Sequence, residues 1–417
     1  MAHPIIIIGA GLAGWTVARE FRKLDATTPL TVVTADSGDF YAKPSLSNAF
    51  AQGRAPAQLV STAAAKMADT LNVTLLAHTQ VQAIEPNECR VSTSQGELHY
   101  SQLVLATGAS PIRIPLEGDA ADQVMSINSL DDFSAFHARL TSLSSSENES
   151  NSLAVGEAQA LPSARKKHIF IMGAGLIGCE FANDLAASQY TVSVADPSNS
   201  PMSALLPEPA SQQLQAALAD LGVTWHFGAT VKAVNDASAA GPGDARLEVV
   251  LSNGQVVGAD IVLSAIGLRA HTALAQAAGL VCERGIVVDA LLQTSAEHIF
   301  ALGDSAQYAQ GQWASGAAVS GGRTMPYVMP IMNAARALAA TLTGKPTAVV
   351  FPLMPVAIKT PALPIVVAAP APGTPGEWQS HETGVWQFIG EPGQVLGFVL
   401  TGANTSRRAE QAKLVSA

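Results

Sequence analysis

A run of four apolar residues near the start of the chain leads straight into a glycine-rich segment. Ile5–Ile8 is followed by Gly9, Gly11 and Gly14 in a G-x-G-x-x-G pattern, and an amphipathic pattern continues over residues 12–24. This order predicts a strand, a tight turn and a helix. Such a turn binds the diphosphate of a dinucleotide at the helix N-terminus, where free N–H groups and the helix dipole favour anions.

Each glycine of this turn has its own task in a dinucleotide site. Gly9 forms the sharp turn, Gly11 lets a pyrophosphate approach the backbone, and Gly14 lets the helix pack closely on the strand. Leu12 and Ala13, at the start of the predicted helix, complete this candidate site.

The same pattern recurs further along the chain. An apolar run over residues 169–172 precedes Gly173, Gly175 and Gly178, which repeat the G-x-G-x-x-G order. Two dinucleotide sites in one chain indicate two dinucleotides, and FAD with a nicotinamide nucleotide is the usual pair.

The segments that follow each glycine turn also match. The predicted second strands are residues 30–34 and 191–195, and Asp36 and Asp196 follow them where a ribose-binding carboxylate is expected. A solvated aspartate in a turn is the alternative for Asp36. The residues just after Asp196 include no Arg or Lys for a 2′-phosphate, which favours NADH over NADPH.

A hairpin and a closing strand complete both copies. The predicted hairpins turn at residues 95–96 and 253–254, and the closing strands end at Gly108 and Gly267. The repeated order predicts an α/β protein with two Rossmann-like domains, each a parallel sheet with a small antiparallel layer. From about residue 351, prolines alternate with short apolar runs, which predicts a small C-terminal β-rich or α+β domain ending in a polar helix.

Two segments show little periodicity. Residues 141–152 are rich in Ser, Glu and Asn, which predicts a flexible loop without chemistry. Residues 310–322 are rich in Gly, Ala and Ser, which predicts a surface insertion.

Composition narrows the class of protein. The 417 residues are 48% hydrophobic and 13% charged, as in a globular chain of two or three domains. A net charge of −10 argues against nucleic acid or an anionic membrane as the main partner. We expect no signal peptide, since the first strand begins at once, and no apolar run reaches the roughly 18 residues of a membrane span. A cytoplasmic protein is therefore expected.

The three cysteines carry little chemistry. Cys89, Cys179 and Cys282 are far apart and form no C-x-x-C. This spacing predicts no disulfide framework, zinc site or iron–sulfur centre, and hence no bound metal. Cys179 and Cys282 are expected to be core thiols.

Taken together, the motifs resemble those of the two-dinucleotide flavoprotein reductases, the pyridine nucleotide reductase superfamily. The matching segments are both glycine turns, the closing motifs 106–108 and 265–267, and the segment 299–304. The resemblance implies FAD at the first turn and NAD(H) at the second. It also implies an FAD-binding domain of residues 1–112 and 270–345, an NAD(H)-binding domain of 113–269 and a C-terminal domain of 346–417.

A finer resemblance is to rubredoxin–NAD reductases, through residues 41–49, 175–185, 327–332 and 354–361. It implies that Lys43 and Lys359 lie beside the isoalloxazine ring, that Glu180 lies near the nicotinamide–flavin contact, and that Asp304 holds the ribityl or pyrophosphate part of FAD. The other positions that it implies for the two cofactors are Val81, Thr107, Gly108, Gly267, Gly303 and Val328. Two departures are Ser305, where relatives often have Cys, and the segment 34–36, which lacks a Glu for the adenosine ribose.

The residues themselves leave simpler alternatives for these positions. The two lysines could be solvated surface residues, Glu180 could merely be an acidic residue near a helix N-terminus, and Asp304 could cap the next helix. We also predict that Pro330 is the first residue of a helix ending near Leu342, with its N-terminus facing the anionic reduced flavin.

The resemblance, combined with the cysteine positions, points to the electron acceptor. Hydride passes from nicotinamide C4 to flavin N5, and related reductases then use a cysteine where this chain has Ser45 and Ser47. Electrons are therefore expected to leave the flavin directly. A single-iron rubredoxin is the favoured acceptor, in an alkane hydroxylase chain, and the protein is expected to be a monomer.

Other functions remain open at this point. Close variants are a ferredoxin reductase and a flavorubredoxin reductase, and a different class is a redox-controlled binding protein resembling apoptosis-inducing factor. The resemblance implies that the rubredoxin acceptor is acidic, and this chain also carries net negative charge. The two proteins should repel each other at long range, so docking requires a local positive patch on this chain. The candidates for that patch are Lys43, Lys359, Arg323 and Arg336.

Overall fold

The computed structural model describes residues 3–151, 165–188, 190–237, 245–309 and 321–415. Most of the predicted insertion at 310–322, and Ser152 at the end of the predicted Ser-rich loop, lie outside these residues. None of the described helices is long and apolar enough to cross a membrane.

The strands follow the predicted order along the chain. Their bounds are β1 Ile5–Ile8, β2 Leu30–Val33, β3 Phe40–Tyr41, β4 Val60–Thr62, β5 Thr74–Leu76, β6 Val81–Glu85, β7 Arg90–Thr93, β8 Gly96–His99, β9 Gln102–Leu105, β10 Ala109–Pro111, β11 Met125–Ser126, β12 His168–Met172, β13 Thr191–Asp196, β14 Val223–Phe227, β15 Val231–Asp236, β16 Leu247–Leu251, β17 Val256–Ala259, β18 Ile261–Ser264, β19 Leu268–Ala270, β20 Ile286–Val288, β21 Ile299–Ala301, β22 Ala306–Tyr308, β23 Val356–Ile358, β24 Ile365–Ala368, β25 Glu377–Glu382, β26 Val385–Gly390 and β27 Gln394–Thr401.

The helices lie between these strands. Their bounds are α1 Leu12–Arg22, α2 Ala64–Leu71, α3 Leu130–Asn151, α4 Leu176–Ala187, α5 Glu208–Asp220, α6 Ala273–Ala277, α7 Val328–Leu342 and α8 Arg408–Leu414. Short 3₁₀ turns include Lys43–Asn48 and Gly303–Ser305.

The first of two compact units contains Met1–Ala42, Val60–Ser110 and Leu268–Met354. Its central sheet has the strand order β21-β9-β1-β2-β5, with parallel pairing throughout. An antiparallel sheet β6-β7-β8 accompanies it. Helix α1 packs against α7, and the fully buried Trp15 and Phe21 of α1 belong to the core of this unit.

The second unit contains Lys43–Leu59, Pro111–Gly267 and Pro355–Ala417. Its parallel sheet has the order β11-β18-β12-β13-β14, which repeats that of the first unit, and it again has an antiparallel partner, β15-β16-β17. The C-terminal segment adds an antiparallel sheet β23-β24-β27-β26-β25 and helix α8. Ile365 and Val399 of that sheet share one hydrophobic core with Phe181 and Leu185 of α4.

The predicted fold class is confirmed, since both parallel sheets, both antiparallel layers and the C-terminal β-rich segment are present. The prediction of a flexible loop at 141–152 was wrong as far as Asn151, because α3 continues through it. Ser, Glu and Asn cost a helix only about 0.7 kcal/mol or less per residue relative to Ala, so the helix that starts at Leu130 can extend into a polar stretch. Polar composition by itself therefore did not end the helix.

The start of α7 also differs from the prediction. The helix begins at Val328, so Pro330 is its third residue rather than its first. The first four N–H groups of a helix have no intrahelical partner, and a proline within that turn therefore loses no hydrogen bond.

The glycine turns owe their shape to close backbone contacts. A Cβ on Gly14 would lie 1.9 Å from the carbonyl oxygen of Gly9, and a Cβ on Gly178 would lie 2.0 Å from that of Gly173. These glycines let each helix approach its strand. A Cβ on Gly175, in contrast, would have no atom within 4 Å, and the φ of −71° at Gly175 suits any residue.

This contrast predicts different outcomes for two alanine substitutions in the second unit. Gly178→Ala should lower the free energy of unfolding by at least about 1–3 kcal/mol, because the methyl group meets a backbone oxygen that cannot move aside. The matched control Gly175→Ala should change it by less than about 0.5 kcal/mol. Urea denaturation followed by circular dichroism measures both, and equal losses would contradict this account of the turn.

Candidate functional site

The glycine turn of the first unit leaves a helix N-terminus accessible. Gly9 has a φ of +108°, and a Cβ there would lie 2.3 Å from the carbonyl oxygen of Ala106, the residue after β9. A Cβ on Gly11 would meet nothing within 4 Å. The first N–H groups of α1, on Leu12 and Ala13, have no intrahelical acceptor, so a diphosphate can reach them.

Three further predicted FAD positions lie against this turn or its closing motif. Gly303, with a φ of +76°, places its Cβ position 3.0 Å from Cβ of Ala13. Asp304 follows it in the same 3₁₀ turn and is half-buried. Thr107 follows β9 and donates its hydroxyl to the carbonyl of His271, 3.0 Å away. The first unit therefore gathers its predicted motifs around the N-terminus of α1, as a bound dinucleotide requires.

Tyr308 supports this arrangement and was not singled out from the sequence. Its buried hydroxyl oxygen accepts the N–H of Gly303 at 2.8 Å, and burial raises the pKa of the phenol well above its ordinary value. The hydrogen bond fixes the turn that presents Asp304.

Asp36 does not occupy the position that Asp196 occupies in the second unit. Ile8 pairs with Val33 as Met172 pairs with Ala195, so the residue equivalent to Asp196 is Thr34. Oδ1 of Asp36 accepts the Thr34 hydroxyl at 2.6 Å and the N–H of Gly38 at 2.9 Å.

Two other predicted FAD contacts lie at element ends in the first unit. Val81 is the half-buried first residue of β6, and Val328 is the exposed first residue of α7.

In the second unit, Asp196 is bonded to the glycine turn. Its Oδ2 accepts the N–H of Ala174 at 2.7 Å, and its Oδ1 accepts the N–H of Ser198 at 2.8 Å. Gly173 lies against the closing motif, since its Cβ position is 2.7 Å from the carbonyl oxygen of Ala265, and Gly267 follows with a φ of +109°. The carboxylate therefore lies beside the N-terminus of α4, where an adenosine ribose of a dinucleotide is held.

Glu180 and Lys359, which were predicted separately, form an ion pair within the second unit. The Glu180 side chain is only 2% exposed, and its Oε2 accepts an N–H of the Lys359 ammonium. Its Oε1 accepts the backbone N–H of Lys359 at 2.9 Å. The hydroxyl of Ser47 contacts both partners, at 2.5 Å from Glu180 Oε2 and 2.9 Å from Lys359 Nζ. Glu180 is thus more than an acidic residue near a helix N-terminus.

Lys43 lies at the start of the 3₁₀ turn that also carries Ser47. Its Nζ donates to Oδ1 of Asn128 at 3.1 Å, and the side chain is partly exposed. The ammonium therefore lies beside the amide of Asn128.

Two residues that follow Glu180 on α4 accept hydrogen bonds from backbone N–H groups of other segments. Asp184 accepts the N–H groups of Phe50 and Ala51, each at 2.9 Å. Asn183 accepts the N–H of Ala362 at 3.0 Å. A polar i, i+3, i+4 pattern in an otherwise apolar helix is the sequence signal that could have revealed this face.

Cys179 lies in the core of the second unit, as expected, whereas Cys282 is only partly buried against the core of the first unit. Cys179 is fully buried, its Sγ lies 3.2 Å from the carbonyl oxygen of Ala174, and burial raises the pKa of its thiol. Burial likewise raises the pKa of Cys282. Within the described part of the chain, no cluster of three or more His, Cys, Asp or Glu side chains could hold a metal ion.

Comparison with protein families gives two matches. Residues 3–336 match the pyridine nucleotide-disulphide oxidoreductase family, and residues 348–415 match the rubredoxin binding C-terminal domain.

Individual relatives agree over nearly the whole chain. A rubredoxin-NAD(+) reductase of Alcanivorax borkumensis is 41% identical over 403 residues, which cover 96% of this chain and 95% of the relative. A nitric oxide reductase FlRd-NAD(+) reductase of Aeromonas salmonicida is 38% identical over 97% of this chain and 95% of its own.

Solved structures with the same fold include a covalent putidaredoxin reductase–putidaredoxin complex. It has a TM-score of 0.80 at 23% identity and covers 99% of this chain and 92% of its own. The NADH:rubredoxin oxidoreductase of Clostridium acetobutylicum has a TM-score of 0.74 at 17% identity, over 100% and 95% of the two chains. At these identities the structural likeness supports the fold alone.

The backbone clamp of Asp184 predicts a local effect of Asp184→Asn. An amide has one acceptor oxygen where the carboxylate has two, so one of the N–H groups of Phe50 and Ala51 loses its partner, at about 1–3 kcal/mol. Hydrogen–deuterium exchange of a peptide over residues 49–54 should accelerate. Asp220→Asn, at an exposed aspartate of the same unit, is the control and should leave that peptide unchanged.

Burial raises the pKa of Asp184 above its ordinary value, against the opposing effect of the two backbone N–H donors. The comparison is therefore made on the alkaline side of that pKa, where the carboxylate offers both oxygens as acceptors. Equal exchange of that peptide in the wild type and in Asp184→Asn would contradict the clamp.

Proposed function

Because the chain belongs to the pyridine nucleotide-disulphide oxidoreductase family, we propose that it is an FAD-dependent reductase that passes electrons from NADH to rubredoxin. The main support for rubredoxin as the acceptor is the match of residues 348–415 to the rubredoxin binding C-terminal domain. The relatives named rubredoxin-NAD(+) reductase support the same acceptor. NADH and FAD together supply hydride transfer and the change from two-electron to one-electron chemistry.

We assign FAD to the first glycine turn and the motifs around it. The assigned residues are Gly9, Gly11, Leu12, Ala13, Gly14, Asp36, Val81, Thr107, Gly108, Gly303, Asp304 and Val328. The open N-terminus of α1 and the nearby Asp304 support this assignment, because N–H groups bind the diphosphate and a carboxylate can accept from ribityl or ribose hydroxyls. We propose that residues 1–112 and 270–345 together form the FAD-binding domain.

We assign NADH to the second glycine turn. The assigned residues are Gly173, Gly175, Gly178, Asp196 and Gly267, within a proposed domain of residues 113–269, followed by a C-terminal domain of residues 346–417. Asp196 lies beside the turn, and no Arg or Lys occurs between it and Glu208. An adenosine ribose with a free 2′-OH therefore fits better than a 2′-phosphate.

Three charged residues are assigned to the reacting end of the cofactors: Lys43, Glu180 and Lys359. A lysine ammonium beside a flavin favours the reduced form, which carries negative charge. The ion pair with Glu180 holds the Lys359 ammonium in place, and its backbone N–H is fixed by the same carboxylate. Lys43 and Lys359 thus act by placement, while hydride transfer is a property of the cofactors.

The route of electrons away from the flavin follows from the side chains near these lysines. The segment 41–49 contains Ser45 and Ser47 but no cysteine, so no thiol is available there to carry electrons onward. Direct one-electron transfer from the flavin to the acceptor iron is the remaining route. We propose the cytoplasm as the location, which the three free cysteines support, a monomer as the working form, and an alkane hydroxylase chain as the setting.

A second candidate acceptor is flavorubredoxin, favoured by the 38% identical relative named nitric oxide reductase FlRd-NAD(+) reductase. The test uses the purified flavoprotein with NADH and a panel of rubredoxin, flavorubredoxin and ferredoxin, each followed by its own absorbance. We expect kcat/KM to be highest for rubredoxin. A higher value for flavorubredoxin would select the second candidate, and a higher value for ferredoxin would overturn both.

Nicotinamide preference should follow Asp196. The wild type should use NADH with a kcat/KM at least about tenfold above that for NADPH, since a 2′-phosphate meets a carboxylate. Asp196→Ser combined with Asn199→Arg should narrow or reverse this ratio. Asp196→Asn is the control for the turn, because it keeps an acceptor for Ala174 while removing the charge. Equal use of both nucleotides by the wild type would refute the assignment.

Acceptor reduction should slow as ionic strength rises, because two acidic proteins need a local positive patch to meet. The Debye length falls from about 10 Å at 0.1 M to about 3 Å at 1 M salt. Lys359 is paired with Glu180, whereas Arg323 and Arg336 are exposed and form no ion pair among the described residues. Arg323→Gln and Arg336→Gln should therefore reduce the rate at low salt by about threefold to tenfold each.

Stopped-flow measurement separates the two half-reactions. Hydride transfer from NADH should change little with salt, and Lys66→Gln, at an exposed lysine on α2, should leave acceptor reduction unchanged. A flat salt response in the acceptor half-reaction would remove electrostatic docking from the proposal.

A further inference from the structure

Ser47 closes a ring of hydrogen bonds with the Glu180–Lys359 pair. Its Oγ lies 2.5 Å from Glu180 Oε2 and 2.9 Å from Lys359 Nζ, and the ammonium and Oε2 contact each other directly. Ser47 itself is buried, and Glu180 is 2% exposed on its side chain, against 28% for Lys359. The lysine is thus the member of the ring with access to an outside group.

The direction of each hydrogen bond in the ring follows from the available protons. Lys359 has three N–H donors and no acceptor, and ionised Glu180 has only acceptors. Ser47 therefore accepts from Lys359 and donates its single O–H proton. Glu180 Oε2 is the better acceptor for that proton, because it is charged and at 2.5 Å, whereas the carbonyl oxygen of Pro44 is at 3.3 Å.

Two of the three N–H groups of Lys359 bind Glu180 and Ser47, so one N–H remains for a partner outside the ring. An ammonium bound only to Glu180 could turn about the axis of that contact, and its remaining N–H groups would then point in a range of directions. A second acceptor at Ser47 removes that freedom. The hydroxyl therefore sets the direction of the last N–H.

We propose that Ser47 is a positioning residue that aims the free N–H of Lys359 at the flavin and thereby raises the flavin's affinity for electrons. The proposal rests on the proposed function, in which Lys359 lies beside the isoalloxazine ring. It gives Ser47, which lies in the segment where related reductases have a cysteine, a role without redox chemistry of its own. The hydroxyl acts on the reaction only through the lysine.

The structure offers a matched control on the same 3₁₀ turn. Ser45 lies two residues before Ser47, is half-buried, and has no side-chain hydrogen bond among those found for the described residues. Ser45→Ala and Ser47→Ala therefore delete the same atom from one segment, but only the second deletion opens the ring.

The measurement is the equilibrium ratio of reduced to oxidised flavin in the purified holoprotein, against a dye of known potential and without NADH. Ser47→Ala should lower this ratio by about tenfold at a fixed dye ratio, the size expected for misdirecting one charge-assisted hydrogen bond. Ser47→Thr, which keeps a hydroxyl, should restore it to within about threefold, and Ser45→Ala should match the wild type. If Ser47→Ala does not retain FAD, Ser47→Val replaces it and is compared with Ser47→Thr, since these two side chains have nearly the same shape and differ by the hydroxyl.

Lys359→Met separates failure of this inference from failure of the function on which it rests. A lowered ratio in Lys359→Met with a wild-type ratio in Ser47→Ala would overturn the role of Ser47 and leave the lysine assignment standing. Wild-type ratios in both variants would overturn the placement of Lys359 beside the flavin and the inference with it. An equal fall in Ser45→Ala and Ser47→Ala would also overturn it, since the effect would then belong to the segment and not to the ring.

Discussion

A buried carboxylate organises the part of the second unit that carries Lys43 and Lys359. Glu180 is almost inaccessible to solvent, and an ionised carboxylate in such a place is costly unless donors surround it. Those donors come from Ser47 and Lys359, which are 133 and 179 residues away in sequence. Satisfying one charge therefore fixes two distant segments of the chain, and these are the segments that carry Lys43 and Lys359.

Helix α4 holds these segments and also begins at the turn proposed to bind the nucleotide. Its first turn follows the glycine motif at Gly175, and its buried polar face holds the lysine-bearing segments through Glu180, Asn183 and Asp184. Each of these three side chains accepts at least one backbone N–H group, and such contacts depend on chain position and not on the neighbouring side chain. One rigid element thus relates the proposed NADH turn to the ammonium groups proposed to face the flavin.

Local features were predictable from the sequence, whereas pairings at long range were not. Short contiguous patterns predict the two glycine turns and the parallel strands. The turns need glycine at Gly9 and Gly173 because φ is positive there, and the strands follow from short apolar runs. The limits of the pattern appear at Asp36, where strand register places Thr34 in the position of Asp196. Residues 141–151 are a second limit, since a polar composition there is compatible with both loop and helix. The ring of Ser47, Glu180 and Lys359 required three-dimensional contacts, because no spacing in the sequence relates the three residues.

The paired Lys359 and the exposed Arg323 and Arg336 differ in the range over which their charges act. Lys359 and Glu180 together carry no net charge, so at a distance their field is that of a dipole and falls off faster than that of a single charge. At hydrogen-bonding distance the ammonium still dominates, because Coulomb energy scales inversely with separation and desolvation strengthens it. The paired lysine is therefore suited to act on a group it touches and poorly suited to attract a protein from solution. Exposed Arg323 and Arg336 have the opposite properties: their charge extends over a Debye length, but water screens them at contact. If the proposed roles hold, tuning of the bound flavin and recruitment of the acceptor depend on different residues, and each can be altered without the other.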